Sequence, residues 1–310
     1  MGLLFKGWIT KLETVRLIIG GRMFIKLYEG ECLEKMKSIE DNSVDLILAD
    51  LPYGTTDRSG KKGSRIFKWD SVIPLDELWE SYKRILKRNG TVVLTADQPF
   101  TSQLVLSNLD WFKYEWIWKK SRTTGFFTAN YRPMKCTEDI LVFSEGGAAA
   151  ASKNSSKGNM IYNPQGLVEK RVKKKNSRKR LGKILGVEEF VGKNNKMLGD
   201  SEYEQKFTNY PNEILEFAIE SDTKHPTQKP VPLMEYLIKT YSNEGDTVLD
   251  NVMGSGTTGI AALKCNRNFI GMEKEEEYFK MSVDRIKKTY EYMKVNGAEL
   301  MQLEMEIINE

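Results

Sequence analysis

Four consecutive residues have the chemistry to hold a planar ring that carries an amino group: Asp50, Leu51, Pro52 and Tyr53. The carboxylate of Asp50 and the carbonyl of Leu51 can each accept a hydrogen bond from an amino group. Pro52 fixes the direction of the backbone, and Tyr53 offers a flat face for stacking. A nucleobase is a ligand of this kind. A strand that ends in a proline turn beside a half-buried tyrosine has the same pattern.

A second set of residues suits a nucleotide-like cofactor. The segment Gly254-Ser255-Gly256-Thr257-Thr258-Gly259 lies between a predicted strand that ends at Asp250 and a predicted helix. Glycines let the backbone approach a ligand, and the free N–H groups at a helix start attract its negative end. Asp250 is suited to an ammonium group, and Glu273, which ends the next strand, to the two hydroxyls of a ribose.

The glycine spacing alone leaves the class of cofactor open. Gly254, Gly256 and Gly259 also match the nicotinamide and flavin fingerprint, whereas a Walker-type phosphate loop requires a lysine that is missing here. Upstream, His225-Pro226-Thr227-Gln228-Lys229-Pro230 is predicted to form a rigid loop. It presents a hydroxyl and a cation, either of which could meet a carboxylate.

Alternating strands and helices are predicted to position both sets. Residues 44–49 are apolar on both faces, as in a buried parallel strand, and put Asp50 at the carboxyl end, where open α/β sheets bind ligands. Further strands are predicted at 24–28, 91–95, 114–118, 140–143, 246–250 and 268–273. Helices are predicted at 33–39, 75–88, 99–109, 232–241 and 275–295, and from the glycine segment to residue 264. The fold class is therefore α/β, with a doubly wound, mostly parallel sheet and helices on both faces.

Composition divides the chain into five segments. Residues 1–22 are predicted to be a peripheral extension, because Met23 could be the natural start, and residues 297–310 a tail. Residues 23–145 and 211–296 carry the α/β pattern. Between them, residues 146–210 are polar, basic and poorly periodic, which indicates an inserted region.

The insertion contains a run of cations without an intervening acid. Its members are Lys170, Arg171, Lys173, Lys174, Lys175, Arg178, Lys179 and Arg180. Such a run is either a solvated face or an electrostatic footprint for phosphates.

Composition bounds the remaining possibilities. The chain has 310 residues and a net charge of +4, enough length for one large domain with an insertion. Its three isolated cysteines favour a reduced, cytoplasmic setting, and its single histidine argues against a histidine zinc site or a Ser-His-Asp hydrolase. No metal is predicted. No apolar run is long enough to span a membrane, and no cleavable signal is evident.

Three blocks, in chain order, resemble the beta class of amino-group DNA methyltransferases: residues 50–53, 225–230 and 250–258. The resemblance covers residues 23–145 and 211–290. It implies a Rossmann-like methyltransferase fold with permuted motif order, the catalytic half before the cofactor half and target recognition in the insertion. It also implies S-adenosylmethionine as methyl donor, and the exocyclic amino group of a flipped base in double-stranded DNA as acceptor, in a bacterial or phage-encoded cytoplasmic enzyme.

The resemblance also implies residue roles. Asp50 and the Leu51 carbonyl would orient the amino nitrogen, with Pro52 shaping the loop and Tyr53 stacking on the base. The positions implied to contact the donor are Glu31, Cys32, Asp50, Thr227, Lys229, Asp250, Gly254, Gly256, Thr257, Thr258 and Glu273. The cationic run would contact DNA. Leu51 and Asn251 stand where the family usually has proline, and Glu31 where it has Asp.

Several alternatives stay open at this point. Adenine N6 is the preferred target, because Asp at the first motif position is typical of that activity, and cytosine N4 is the competitor. RNA is another substrate. A non-catalytic nucleic-acid-binding protein would explain the cationic run alone, and a nucleotide-dependent oxidoreductase the glycine segment alone. The sequence leaves open whether the protein is a monomer or a homodimer and whether a companion restriction endonuclease exists.

Overall fold

The computed structural model describes residues 14–19, 23–54, 71–149, 156–176, 201–219, 228–295 and 303–307. They fall into two compact units, one within residues 1–163 and 213–310 and the other within residues 164–212. Across these ranges, the first unit contains a ten-stranded sheet and the second a two-stranded hairpin. No helix among them is long and apolar enough to cross a membrane.

The elements alternate along much of the chain. The strands are β1 (Thr14–Ile19), β2 (Met23–Glu29), β3 (Val44–Ala49), β4 (Leu86–Ala96), β5 (Phe112–Thr124), β6 (Lys135–Phe143), β7 (Val168–Asn176), β8 (Ser201–Thr208), β9 (Ile214–Phe217), β10 (Thr247–Asp250), β11 (Asn268–Glu273) and β12 (Leu303–Ile307). The helices are α1 (Cys32–Met36), α2 (Leu75–Ile85), α3 (Phe100–Ser107), α4 (Val231–Tyr241), α5 (Thr257–Lys264) and α6 (Glu276–Val295).

The large sheet has the strand order β12-β1-β2-β11-β10-β3-β4-β6-β5-β9. Its centre, from β2 to β4, is parallel throughout. The flanking pairs are antiparallel except β5 and β9, which run parallel. The prediction of an α/β fold with a mostly parallel sheet is confirmed.

Two apolar clusters cover the sheet. Leu46 and Leu48 of β3 belong to one cluster, with residues of α4, α5 and α6, and Ile47 and Ala49 to the other, with residues of α1, α2 and α3. Because successive side chains of a strand point to opposite faces, β3 is buried on both sides. The continuous apolar run 44–49 reflects this double burial.

The two ends of the chain depart from the prediction. Residues 14–19 form β1, which pairs with β2 on one side and with β12 on the other, so neither the peripheral extension 1–22 nor the tail 297–310 lies wholly outside the sheet. Val15, Leu17 and Ile19 are buried, and their alternation is the period of a half-buried strand. That short alternation was overlooked in the sequence. Residues 1–13, 20–22, 296–302 and 308–310 lie outside the described ranges.

The inserted region is shorter than predicted. The second unit spans Pro164–Asn212 rather than residues 146–210. Residues before it bond to the first unit: Ile161 N donates to Asn89 O at 3.2 Å, and Asn163 N donates to Thr240 O at 2.7 Å. These bonds involve the backbone, so polar composition concealed them. The described part of the second unit is the antiparallel hairpin β7–β8.

Candidate active site

The strand ends that carry the predicted residues meet where the sheet changes winding direction. From β3 the chain moves to β4 on one side, and from β10 it moves to β11 on the other. Such a reversal leaves a crevice at the carboxyl ends of the strands, where open α/β sheets bind ligands. A cavity of about 610 Å³ lies here, a size typical of small-molecule sites. Its lining includes Glu31, Cys32, Asp50, Leu51, Pro52, Tyr53, Lys229, Gly254, Thr257, Thr258 and Glu273.

The carboxylate of Asp50 is held from both of its oxygens. Oδ1 accepts a hydrogen bond from the Tyr53 hydroxyl at 2.7 Å and another from the Thr95 hydroxyl. Oδ2 accepts one from Nζ of Lys229 at 2.7 Å. A cation and two hydroxyls therefore fix this carboxylate at the cavity wall, next to the carbonyl of Leu51.

A chain of buried charges continues from Asp50. Lys229 Nζ lies 2.7 Å from Oε1 of Glu138, and Glu138 Oε2 lies 2.6 Å from Nζ of Lys120. Burial alone opposes the charged form of Glu138, but Lys229 and Lys120 outweigh it and lower its pKa to about 2. Burial likewise opposes the charge of Lys229, yet Asp50 and Glu138 raise its pKa above the usual value. The sequence predicts Lys229 near the cofactor, and the structure pairs it with Asp50.

Tyr53 belongs to the same network. Its ring stacks on Phe100 with centroids 5.4 Å apart, and Lys229 Nζ lies 5.9 Å from its centroid. Burial, and then the charges of Asp50 and Glu138, raise the pKa of Tyr53 well above its usual value. The phenol therefore stays protonated, and its single proton can be donated to the Asp50 carboxylate.

The glycine segment forms a turn that leads into α5. Gly254 and Gly256 have φ values of +50° and +79°, which favour glycine, and Gly256 caps the amino end of the helix. Gly254 N donates to Oε2 of Glu273 at 2.9 Å, while Oε1 of Glu273 accepts from Glu275 N at 2.9 Å. Glu273 thereby fixes the loop to the end of β11 and still lines the cavity. Burial raises its pKa.

Asp250 lies just behind the cavity wall, fully inside the protein. Its Oδ1 accepts from Val252 N at 3.1 Å. Burial raises the pKa of Asp250 to about 7, although hydrogen bonds from Thr258 and Val252 act in the opposite direction. The carboxylate is thus poised to gain from a cation placed nearby.

The loop after β2 forms another part of the wall. Gly30 N donates to the carbonyl of Glu273 at 2.9 Å, with Gly30 at a φ of +138°. This bond sets Glu31 and Cys32, at the start of α1, against the cavity. Cys32 is buried, and burial raises the pKa of its thiol. The Cys32 thiol therefore contributes shape to the wall rather than a charge.

Some predicted site residues are not placed at the cavity. Thr227 and the cations Arg178, Lys179 and Arg180 lie outside the described ranges. Lys170, Arg171 and Lys173 are exposed on β7 of the second unit, which also carries Lys174 and Lys175. In the register of the hairpin, Lys173 lies opposite Glu204. Their role in binding DNA stays a prediction.

Three side chains of the site were not predicted from the sequence: Thr95, Lys120 and Glu138. Thr95 ends a buried strand, and Glu138 precedes an apolar run. A polar residue at such a position usually faces solvent, so no local pattern indicates the pairing. The available signal is topological: β4 ends, and the antiparallel β6 begins, at the same edge of the sheet as Asp50.

Comparison with known proteins places the site in a family. The DNA methylase family model for N6 and N4 amino groups matches residues 44–284. Type II methyltransferase M.HpaI of Haemophilus parainfluenzae is 27% identical over 84% of this chain and 74% of its own length. DNA adenine methyltransferase YhdJ of Escherichia coli K12 is 27% identical over 84% and 82%, respectively. The crystal structure of the M1.HpyAVI–SAM complex covers 84% of this chain and 98% of that chain, with a TM-score of 0.51 and 25% identity.

Fold and site together define a Rossmann-like methyltransferase that uses S-adenosylmethionine. More narrowly, the chain belongs to the N6/N4 DNA methylase family and is a DNA methyltransferase. The residues present fit the cofactor. A Cβ atom on Gly254 would meet nothing within 4 Å, so the glycine loop faces open space. Glu273 lines the cavity and would receive the ribose, and the buried Asp250 behind the wall would pair with the ammonium group.

Proposed function

We propose that this protein methylates the N6 amino group of adenine at a specific site in double-stranded DNA, with the target base flipped into the cavity. One observation carries the proposal: Asp50 and the glycine loop border a single cavity at the switch point of the sheet. One end of that cavity can hold a flat, amino-bearing ring and the other a nucleoside cofactor. A base inside a duplex cannot reach such a pocket, so extrusion is required.

The chemistry demands positioning rather than a powerful base. Bound S-adenosylmethionine supplies a methyl group on a sulfonium, which is already an activated electrophile. Asp50 and the Leu51 carbonyl accept hydrogen bonds from the two N–H groups of the target, which favours a tetrahedral nitrogen with an exposed lone pair. Alignment of the nitrogen with the methyl group is then a large rate factor.

Tyr53 and Lys229 have to act together with Asp50. In this structure the Tyr53 hydroxyl occupies Oδ1 of Asp50, so entry of an amino group displaces that hydroxyl. The displaced ring can then stack on the extruded base and offset its lost stacking. Lys229 remains on Oδ2 and holds the carboxylate in place. The ion pair therefore orients Asp50 without taking part in methyl transfer.

Adenine is preferred over cytosine for two reasons. An Asp at the first motif position is typical of adenine activity, and the relative YhdJ is named as an adenine methyltransferase. Cytosine N4 carries a similar amino group on a flat ring, and the family model spans both.

The same relatives support a proposal for the cellular location and partners of this protein. Relatives in Haemophilus and Escherichia are bacterial DNA methyltransferases, which supports a cytoplasmic protein that acts on duplex DNA. The cations of residues 170–180 are suited to phosphates and support a target recognition role for the inserted unit. A companion restriction endonuclease, and action as a monomer or homodimer, belong to the same proposal.

Methylome sequencing tests the function directly. A methylation-free host expresses the chain or its Asp50→Ala variant, and genomic DNA from each is sequenced. We expect N6-methyladenine in one short motif, and its loss in the variant, whose rate should fall by at least about 10²-fold. The variant should still bind S-adenosylmethionine in isothermal titration. N4-methylcytosine would change the base, and unmodified DNA from a folded protein would refute the proposal.

A further inference from the structure

The turn between β5 and β6 exposes several aromatic side chains. Phe126, Phe127 and Tyr131 are 76%, 99% and 90% exposed. Single exposed apolar residues are ordinary on protein surfaces, but three large rings within one short turn are not. The described contacts of Phe127 are limited to an edge-on contact with Phe126, with centroids 6.5 Å apart.

This turn is ordered by its own backbone. Thr128 N donates to Gly125 O at 3.0 Å, and Tyr131 N donates to Thr128 O at 2.9 Å. Gly125 has a φ of +92°, which the turn requires. The rings are therefore presented by a preorganised structure, and binding to them costs little ordering of the backbone.

The same hairpin is strongly cationic. From residue 116 to residue 137 the chain has no acid, and it carries Lys119, Lys120, Arg122, Arg132 and Lys135. The three lysines are bridged to acids elsewhere in the first unit. Arg122 and Arg132 are exposed beside the aromatic turn. Rings interleaved with arginines are the composition that binds bases and phosphates.

The hairpin is also continuous with the active-site cavity. Lys120 and Thr124 of β5 line the cavity, and Asp97, which bonds to Lys135, lines it as well. The Thr124 hydroxyl donates to the carbonyl of Lys135 at 3.3 Å, which closes the base of the turn. The aromatic turn thus begins where the cavity rim ends.

We infer that residues 125–134 form a DNA-contacting tip, in which Phe127 stacks on the bases next to the extruded target while Arg122 and Arg132 contact the flanking phosphates. This inference rests on the proposed function, because it uses duplex DNA as the partner. The tip supports extrusion by replacing the stacking that neighbouring bases lose. It adds an element from the first unit to the cations predicted in the inserted unit.

The first experiment compares Phe127→Ala with Leu106→Ala, a control at a 71% exposed apolar residue on α3. Affinity for a fluorescein-labelled, unmethylated duplex is measured by anisotropy at fixed salt. We expect Phe127→Ala to weaken binding by about 5- to 100-fold, as for the loss of one base-stacking ring. Leu106→Ala should bind like the parent, and titrated S-adenosylmethionine should bind all three proteins equally. Parental affinity in Phe127→Ala would overturn the inference.

The second experiment separates stacking from charge. Arg132→Ala should reduce the slope of log affinity against log salt by about 1, whereas Phe127→Ala should leave the slope unchanged. Arg88→Ala is the control, because Arg88 is exposed at the amino end of β4, the opposite edge of the sheet. An unchanged slope in Arg132→Ala contradicts the phosphate contact.

The third experiment tests extrusion. With the target base placed opposite an abasic position, unpairing is already complete, so most of the methylation defect of Phe127→Ala should disappear. A defect that persists in full argues against a role in extrusion. Sedimentation that changes in Phe127→Ala while DNA affinity does not would assign the tip to self-association instead. Inactive parental protein would refute the proposed function, whereas an active parent with an equally active Phe127→Ala would refute the tip alone.

Discussion

Two aspartates at the ends of neighbouring parallel strands have opposite electrostatic surroundings, although Asp50 lines the cavity and Asp250 is buried behind its wall. Asp50, at the end of β3, has a lysine ammonium and two hydroxyls on its carboxylate. Asp250, at the end of β10, is buried among a hydroxyl and a backbone amide, and burial raises its pKa to about 7. The same residue type at the ends of neighbouring strands therefore has a cationic partner in one case and lacks one among the described residues in the other.

The difference matches the ligands that we propose for the two aspartates. An amino group on a nucleobase is neutral, so the carboxylate that receives it needs its own counter-ion, and Lys229 supplies one. The methionine end of the donor carries an ammonium group, which is the proposed partner of Asp250, so this carboxylate would gain its cation only when the donor binds. An ion pair within the protein holds a carboxylate in a fixed orientation, whereas a buried carboxylate without a cation gains when a cationic ligand binds.

The largest expected effect comes from removing the counter-ion of Asp50. Lys229→Met leaves Asp50 and Glu138 close together without the cation between them, so we expect a loss of about 3–5 kcal/mol in the free energy of unfolding. Methylation should be lost as well, because Asp50 is no longer held. Urea unfolding followed by circular dichroism measures the stability.

Lys119→Met is the matched control for that variant. Lys119 forms an ion pair with Glu216 in which both side chains are largely exposed, so its replacement should leave the urea midpoint unchanged. Glu138→Gln provides a milder test, since it keeps shape but removes one charge. A Lys229→Met protein as stable as the parent would show that the buried chain of charges contributes nothing.

A smaller effect is expected from Asp250, and it depends on pH. The pKa of Asp250 is about 7 without ligand, and the cationic ammonium group of the donor should bind the ionised carboxylate. Donor affinity should therefore weaken as the pH falls through 7, by up to about tenfold per pH unit. Asp250→Asn should bind weakly and lose this dependence. The stability of the ligand-free protein should change in the opposite direction. Because the pKa of Asp250 is higher in the folded than in the unfolded chain, the free energy of unfolding should fall as pH rises from about 4 to 7.

Isothermal titration of S-adenosylmethionine between pH 5.5 and 8.5 measures this dependence, with those pH limits chosen as about 1.5 units on either side of the pKa. Asp50 and Glu273 are also near Asp250, and the Asp250→Asn variant separates their contributions. Affinity that is flat with pH in the parent would mean that Asp250 does not sense the charge of the donor.

The two aspartates could be predicted from the sequence, whereas the ion pairs beside Asp50 could not. Asp50 and Asp250 follow strands that are buried on both faces, and such strands are visible as continuous apolar runs. Glu138 and Lys229 come from distant parts of the chain, and a charge on a strand has the same appearance whether it faces solvent or a partner. Their pairing depends on tertiary structure, so no local pattern could reveal it.

The edges of the sheet were missed for a related reason. Strand β1 has only six residues, and its alternation of buried and partly buried positions is too short to stand out from an extension. Its partner β12 is equally short and distant in sequence. Pairing between chain ends is a long-range property, whereas the central βα units are local and could be predicted.

The smallest expected effects come from two threonines that serve the two aspartates separately. Thr95→Val removes one hydrogen bond to Asp50, so the rate of methyl transfer should fall by about 5- to 10-fold while donor affinity stays constant. Thr258→Val removes the hydroxyl that lowers the pKa of Asp250, so the pH at which donor affinity declines should move upward with little change in rate at high pH. Single-turnover methylation measures the rate of methyl transfer, and isothermal titration measures donor affinity, for each of the two variants. If either threonine variant changed rate and affinity together, the two aspartates would act as one site, and their different surroundings would not reflect separate ligands.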